Sequence, residues 1–281
     1  MLLFFLTKIQ EMIIYFNGDD YLDFRIGDLV TRISHHHDIL FKVVGIENRI
    51  VYLKGVDLRL FADSDIDDLV KAKVDDSNED KNIIEQNIRS INLDRSEYFY
   101  LPGKVLHIDG DDDYLERCMR FYKDMNIKAN GITLAEVEMP YKITSLLQEF
   151  KPDIVVITGH DAYYAKKRDI KNLDNYQNTI NFVETVKNAR KYEKSQDKLI
   201  VVAGACQSNY EELIKAGANF ASSPKRINIH ALDPAIIAAS LALSDRNKNI
   251  DLIGLIEKTK YGKDGIGGII TNGTMYVGYP R

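Results

Sequence analysis

The chain has 281 residues, 45% of them hydrophobic, enough for one sizeable domain with a smaller one beside it. A formal net charge of -5, from 37 basic and 42 acidic residues, argues against a generally basic nucleic-acid binder. The two cysteines, Cys118 and Cys206, make no disulfide framework and point to a reducing cytoplasm, where a free thiol survives.

Residues 2–6 are apolar, but Lys8 follows the run instead of preceding it, and Gln10 and Glu11 break it. A secretory signal has the opposite order. No later stretch reaches the roughly 18 uninterrupted apolar residues of a membrane span, so no membrane partner is expected. Residues 1–22 read as an N-terminal extension. Residues 23–74 hold four short β-rich segments, at 24–30, 40–46, 49–53 and 56–61, joined by tight turns. They predict a small antiparallel β-barrel domain of SH3-like type. Residues 75–98 are charged and read as a linker, with a helical spacing at Ile84, Ile88 and Ile91.

Residues 99–281 change texture. Apolar runs at 104–108, 127–134, 154–157 and 198–203 alternate with helical patterns at 114–125, 141–150, 179–192 and 207–216. Near-continuous apolar runs suit strands buried on both faces. The prediction is an α/β domain with a mainly parallel sheet flanked by helices, flavodoxin-like or caspase-like in layout. Gly217 fits a helix C-terminus. Near the end, Asn272-Gly273 between residues 265–271 and 274–279 predicts a hairpin.

Ligands of open parallel sheets bind beyond the carboxyl ends of the strands. Two apolar runs end there in reactive residues: Thr158-Gly159-His160 and Gly204-Ala205-Cys206, 46 positions apart. That distance accommodates one crossover. If the runs are neighbours, an imidazole and a thiol stand on one rim. Cys206, read as opening a helix at 207, gains a lowered thiol pKa from the helix N-terminus. His160 then takes its proton and returns it to a leaving amine. Gly204 and Ala205 leave room for a substrate backbone. The Cys206 N–H, with that of Gly159 or His160, is the expected oxyanion donor pair. The competing reading of each residue alone is bland: a buried small hydrophobe and a loop histidine.

Other residues carry less. Cys118 lies on the apolar face of a helix with Leu115, Met119 and Tyr122, which predicts a core role. His107, inside a strand, reads as core. His35, His36 and His37 do not share a strand face and read as an exposed loop. Asp109, Asp111, Asp112 and Asp113 fit either a cation site or a polar helix start. His230, in Asn228-Ile229-His230-Ala231-Leu232-Asp233-Pro234, rivals His160 as base, and Asp233 is a further site candidate. No metal and no cofactor are expected, and the sequence specifies no oligomeric state.

An apolar block ending near His and another ending in Ala-Cys resembles the caspase-like cysteine peptidases. There a Gly follows the His; here Gly159 precedes it and Asp161 follows. Longer segments resemble the YabG family of sporulation-specific proteases. They are residues 101–110 (Leu-Pro-Gly-Lys-Val-Leu-His-Ile-Asp-Gly), 152–163, 203–208 (Ala-Gly-Ala-Cys-Gln-Ser) with 216–224, and 226–234. The resemblance implies a cytoplasmic peptidase of the sporulating cell or developing spore, whose partners are protein substrates of the spore coat and of germination. It also implies cleavage after Arg or Lys, which needs an acid in the specificity pocket. Gly204 stands where some Arg-specific relatives have Asp. Asp161, Asp169, Asp174 and Asp233 remain as candidates.

Two other readings stay open. An amidotransferase-type Cys hydrolase would pair Cys206 with His230. A receiver-like binding module would need an Asp at the end of the third strand, where Thr158-Gly159-His160 stands. The N-terminal domain is a candidate for recruiting substrates or assembly partners.

Overall fold

The computed structural model describes residues 24–72, 79–89, 96–164 and 169–280. The expected N-terminal extension, residues 1–22, and residues 75–78 and 90–95 of the expected linker lie outside them. The chain divides into two compact units, one ending at residue 76 and one beginning at residue 77. Among the described residues no helix is long and apolar enough to cross a membrane.

The first unit is a five-stranded antiparallel sheet: β1 (Leu29–Arg32), β2 (Phe41–Glu47), β3 (Ile50–Gly55), β4 (Phe61–Asp65) and β5 (Leu69–Lys71), in the order β4-β3-β2-β1-β5. Val30, Phe41, Val43, Val51, Leu53 and Leu69 form its core with Phe24. The expected barrel is corrected here. Among the described residues no pairing joins the edges β4 and β5, so the sheet is open. The stretch 56–60, read as strand, is instead a tight bend closed by Gly55 N–H to Leu60 O at 2.7 Å. A side chain on Gly55 would meet Leu58 O at 2.2 Å, so the bend requires glycine.

The second unit is the α/β domain. Its strands are β6 (Phe99–Leu101), β7 (Val105–Asp109), β8 (Ala129–Thr133), β9 (Ile154–Thr158), β10 (Ile200–Ala203), β11 (Phe220–Ser222), β12 (Ile266–Gly268) and β13 (Tyr276–Gly278). Its helices are α1 (Glu79–Arg89), α2 (Asp112–Asp124), α3 (Met139–Phe150), α4 (Thr179–Tyr192), α5 (Tyr210–Ala216), α6 (Asp233–Ala242) and α7 (Leu252–Ile256). The six-stranded sheet has the order β12-β11-β10-β9-β7-β8; all its pairs are parallel except β11 with β12. Without the last strand this is the flavodoxin-like order.

The apolar runs are buried on both faces because side chains alternate. Val105, Ile154, Val156, Ile200 and Val202 face α2, α6 and α7. Leu106, Ile108, Val155, Ile157, Val201 and Ala203 face α3, α4 and α5. Truncating one of the leucines or isoleucines among these to alanine should cost about 2–5 kcal/mol. Cys118 sits in the first of these cores, as its helical spacing predicts. His107 is fully buried as well, its Nδ1 2.9 Å from the Tyr122 hydroxyl.

The expected terminal hairpin does not form. β12 pairs with β11, and β13 pairs with β6. Gly273 answers a close approach instead of a hairpin turn, since a Cβ there would lie 2.0 Å from Ser244 O.

Candidate active site

β9 and β10 are adjacent and parallel, with Ile157 opposite Ala203. His160 and Cys206 each lie three residues beyond that matched pair. Neighbouring strands are about 4.8 Å apart. The two residues therefore follow adjacent strands at matched positions on one rim of the sheet, beside the switch point between β7 and β9.

Carboxylates build the His160 loop. Asp111 caps α2, its Oδ1 accepting from the N–H groups of Asp113 (3.0 Å) and Tyr114 (3.2 Å). Its other oxygen lies 3.0 Å from His160 Nε2. Glu136 Oε1 accepts the His160 backbone N–H at 2.8 Å. Glu136 reaches in because Gly110 and Gly159 have no side chains: a Cβ on them would lie 2.3 and 2.5 Å from that oxygen. The His160 N–H, one of the expected oxyanion donors, is thus engaged by Glu136. The motif reading left Asp111 between a cation site and a helix start. It is a helix cap that also holds the imidazole. Among the described residues no group of three or more His, Cys, Asp or Glu is arranged to hold a metal ion.

The Cys206 loop departs from expectation. α5 begins at Tyr210 with Asn209 as its cap, so Cys206 sits in a turn ahead of the helix instead of opening it. Helix-dipole stabilisation fades within the first turn, and the expected lowering of the thiol pKa by α5 loses its basis. The turn needs glycine at 204, where φ is +100° and a Cβ would meet Leu213 Cδ1 at 2.7 Å. Gln207 is also left-handed, at φ 57°. The Cys206 sulfur accepts the Ile229 N–H at 3.2 Å, and the residue is only 2% exposed.

A strap over this turn connects β11 to α6. Gln207 N–H donates to Ile227 O (3.1 Å) and Ser223 Oγ (3.1 Å), and Gln207 Nε2 donates to Asn228 Oδ1 (3.3 Å). In the strap, Arg226 donates to the Tyr176 hydroxyl at 3.1 Å and pairs with the Glu211 carboxylate. Burial opposes the Glu211 charge, but Arg226 outweighs it and holds the carboxyl below its ordinary value.

Asp161 joins the two loops from beneath. Its carboxylate accepts from the Thr179 hydroxyl, Ser208 Oγ (2.7 Å), Asn178 N–H (2.8 Å) and Ala162 N–H (2.9 Å). Ser208 Oγ in turn accepts from Ala205 N–H at 2.9 Å. Burial pushes the Asp161 carboxyl above its ordinary value, against these four donors. Asp233 is buried too, accepting from the N–H groups of His230 (3.0 Å) and Lys260 (2.9 Å). Asp169 and Asp174 are exposed. His230 is fully buried, and its Nδ1 accepts the Leu232 N–H at 3.2 Å. That bond fixes the neutral tautomer with its proton on Nε2.

The fold is a doubly wound α/β domain that carries the Cys206 loop and the His160 loop on one rim. A family model described as YabG peptidase U57 matches residues 25–280, and the chain belongs to that peptidase family. It is 41% identical over 286 aligned positions to the sporulation-specific protease YabG of Bacillus subtilis (strain 168), an alignment spanning 92% of this chain and 99% of that protein.

Proposed function

We propose that the chain is a sporulation-associated cysteine endopeptidase whose nucleophile is Cys206 and whose base is His160. The observation that carries this reading is the matched register of β9 and β10, which sends both loops off one rim at one level. In the tautomer that donates Nε2–H to Asp111, 3.0 Å away, Nδ1 is the basic nitrogen of His160. Asp111 then orients the ring and stabilises the imidazolium, as the third member of a triad does. His230 offers the opposite: its Nδ1 lone pair is engaged, so its remaining nitrogen is a donor. This favours His160 over the amidotransferase-type pairing with His230.

In the proposed cycle the thiol proton passes to His160 Nδ1, and the thiolate attacks the scissile carbonyl carbon. The N–H groups of Gly159 and Cys206 receive the oxyanion. The imidazolium protonates the leaving amine, and water then hydrolyses the thioester. No cofactor takes part. The Ile229 N–H aimed at the sulfur is a charge-stabilising contact that replaces the missing helix terminus. The substrates are proteins of the spore coat and of germination, cut after Arg or Lys in the cytoplasm of the sporulating cell or developing spore. The test is single-turnover cleavage of a basic peptide by Cys206→Ala, His160→Ala and His230→Gln. Loss in the first two, with activity retained in the third, supports the assignment. Activity that survives in Cys206→Ala ends it.

A further inference from the structure

Arg226 stands in the strap Pro224–Asn228, which is partly exposed between the buried Ser223 and Ile229. Its φ of 54° is left-handed, a conformation disfavoured for a residue with a Cβ. Its guanidinium is clasped on three sides. Nε donates to the Tyr176 hydroxyl at 3.1 Å, Nη1 to Pro224 O at 3.0 Å, and Nη2 to the Glu211 carboxylate. Two of these acceptors belong to other elements, so they would stay behind if the strap moved. The arrangement fits the planar, forked guanidinium group.

This cluster adjoins the candidate nucleophile. Tyr176 packs against Tyr163 with the rings tilted and their centres 5.0 Å apart. The Tyr163 N–H donates to Gln207 Oε1 at 3.1 Å, and Gln207 follows Cys206. The strap also bonds to Gln207, and Ile229, which follows the strap, donates its N–H to the sulfur. A substrate chain that enters from the strap's side takes the place of the strap. When it does, the Glu211 carboxylate and the Tyr176 hydroxyl lose their guanidinium.

We propose that Glu211 and Tyr176 form the seat for the basic side chain of a substrate, and that Arg226 occupies this seat in the closed chain. The inference rests on the peptidase reading and names the residue that sets its specificity. Of the four aspartates considered from the sequence, Asp161 and Asp233 are enclosed in the fold, whereas Glu211 already grips an arginine.

The test uses agmatine, a free guanidinium probe, and the full chain. Arg226→Gln empties the seat. Calorimetry should then show agmatine binding with a Kd near or below about 1 mM. The unsubstituted chain should bind about tenfold more weakly, because the internal occupant competes. Arg226→Gln combined with Glu211→Gln should not bind. Folded Arg226→Gln chain that binds no agmatine overturns the proposal, and because the readout needs no catalysis, it leaves the peptidase reading standing. If Arg226→Gln does not fold, the unsubstituted chain serves. Agmatine that displaces Arg226 should speed iodoacetamide alkylation of Cys206 about threefold or more, whereas tetramethylammonium at equal concentration should not. Equal rates with both cations overturn the proposal. In the peptidase assay, Glu211→Gln should lower kcat/KM for basic peptides by about 10²-fold through KM. An equal loss for neutral peptides contradicts it.

Discussion

The imidazole after β9 is held by carboxylates, whereas the sulfur after β10 is met by a backbone amide. His160 has Asp111 on its ring and Glu136 on its backbone. Cys206 has the Ile229 N–H on its sulfur and a strap bonded to the next residue. The imidazole is thus pre-aligned, while the thiol is kept covered. On this account, control of activity is exerted at the thiol side of the rim, and the base is set once by folding.

The largest effect that bears on this contrast is removal of the sulfur. Cys206→Ala should reduce peptide hydrolysis by about 10³-fold or more, measured with a fluorogenic basic peptide. Cys118→Ala should keep activity, because Cys118 lies in the core and donates to Ala231 O at 3.5 Å. Next comes the carboxylate that aligns the base. Asp111→Asn should lower kcat by about 10²–10⁴-fold. Asparagine caps helices as well as aspartate does, so the melting temperature should change little. An unchanged kcat would show that the imidazole does not depend on Asp111.

Gly159→Ala probes the same side more gently. The added methyl would sit 2.5 Å from Glu136 Oε1, and the buried carboxylate must shift. The expected cost is about 1–3 kcal/mol, read as a lower denaturant midpoint with unchanged slope. Wild-type stability in this variant would mean that Glu136 moves freely and does not fix the loop.

The smallest effect concerns the strap. The Glu211 carboxyl is held below its ordinary value of 4.5, facing Arg226 from the strap and Tyr176 from the neighbouring loop, with Lys215 on its own helix. A lowered carboxyl pKa contributes stability that is present above the unfolded value and is lost as pH falls through the folded one. The latch should therefore hold above pH 4.5 and loosen below it. Labelling of Cys206 by 4,4'-dithiodipyridine, normalised to Glu211→Gln, should rise modestly as pH falls below that value. A ratio independent of pH would separate Glu211 from control of the strap.

The parallel sheet was legible because its strands are apolar on both faces, and Ile154 through Ile157 leave no other assignment. The rim positions of His160 and Cys206 were legible because each follows such a run. Asp111 as a partner was not, because its role depends on β7 lying beside β9, a non-local fact. The ion pair of Glu211 with Arg226 was not legible for the same reason: Arg226 comes from the far side of β11. The helix start at 207 failed because Gln207 is left-handed and Asn209 is the stronger cap. The barrel failed at residues 56–60, where alternation imitates a strand but Gly55 turns the chain. The Asn272-Gly273 hairpin failed because each flanking strand found another edge, at β11 and at β6.

The central claim, a thiol activated by His160, is tested most directly by the pH dependence of Cys206 alkylation with iodoacetamide. The unsubstituted chain should react through a thiolate that persists well below the ordinary cysteine pKa of about 8.5. His160→Ala should shift the profile up to that value, and His230→Gln should leave it in place. Identical profiles for the unsubstituted chain and His160→Ala would contradict the account.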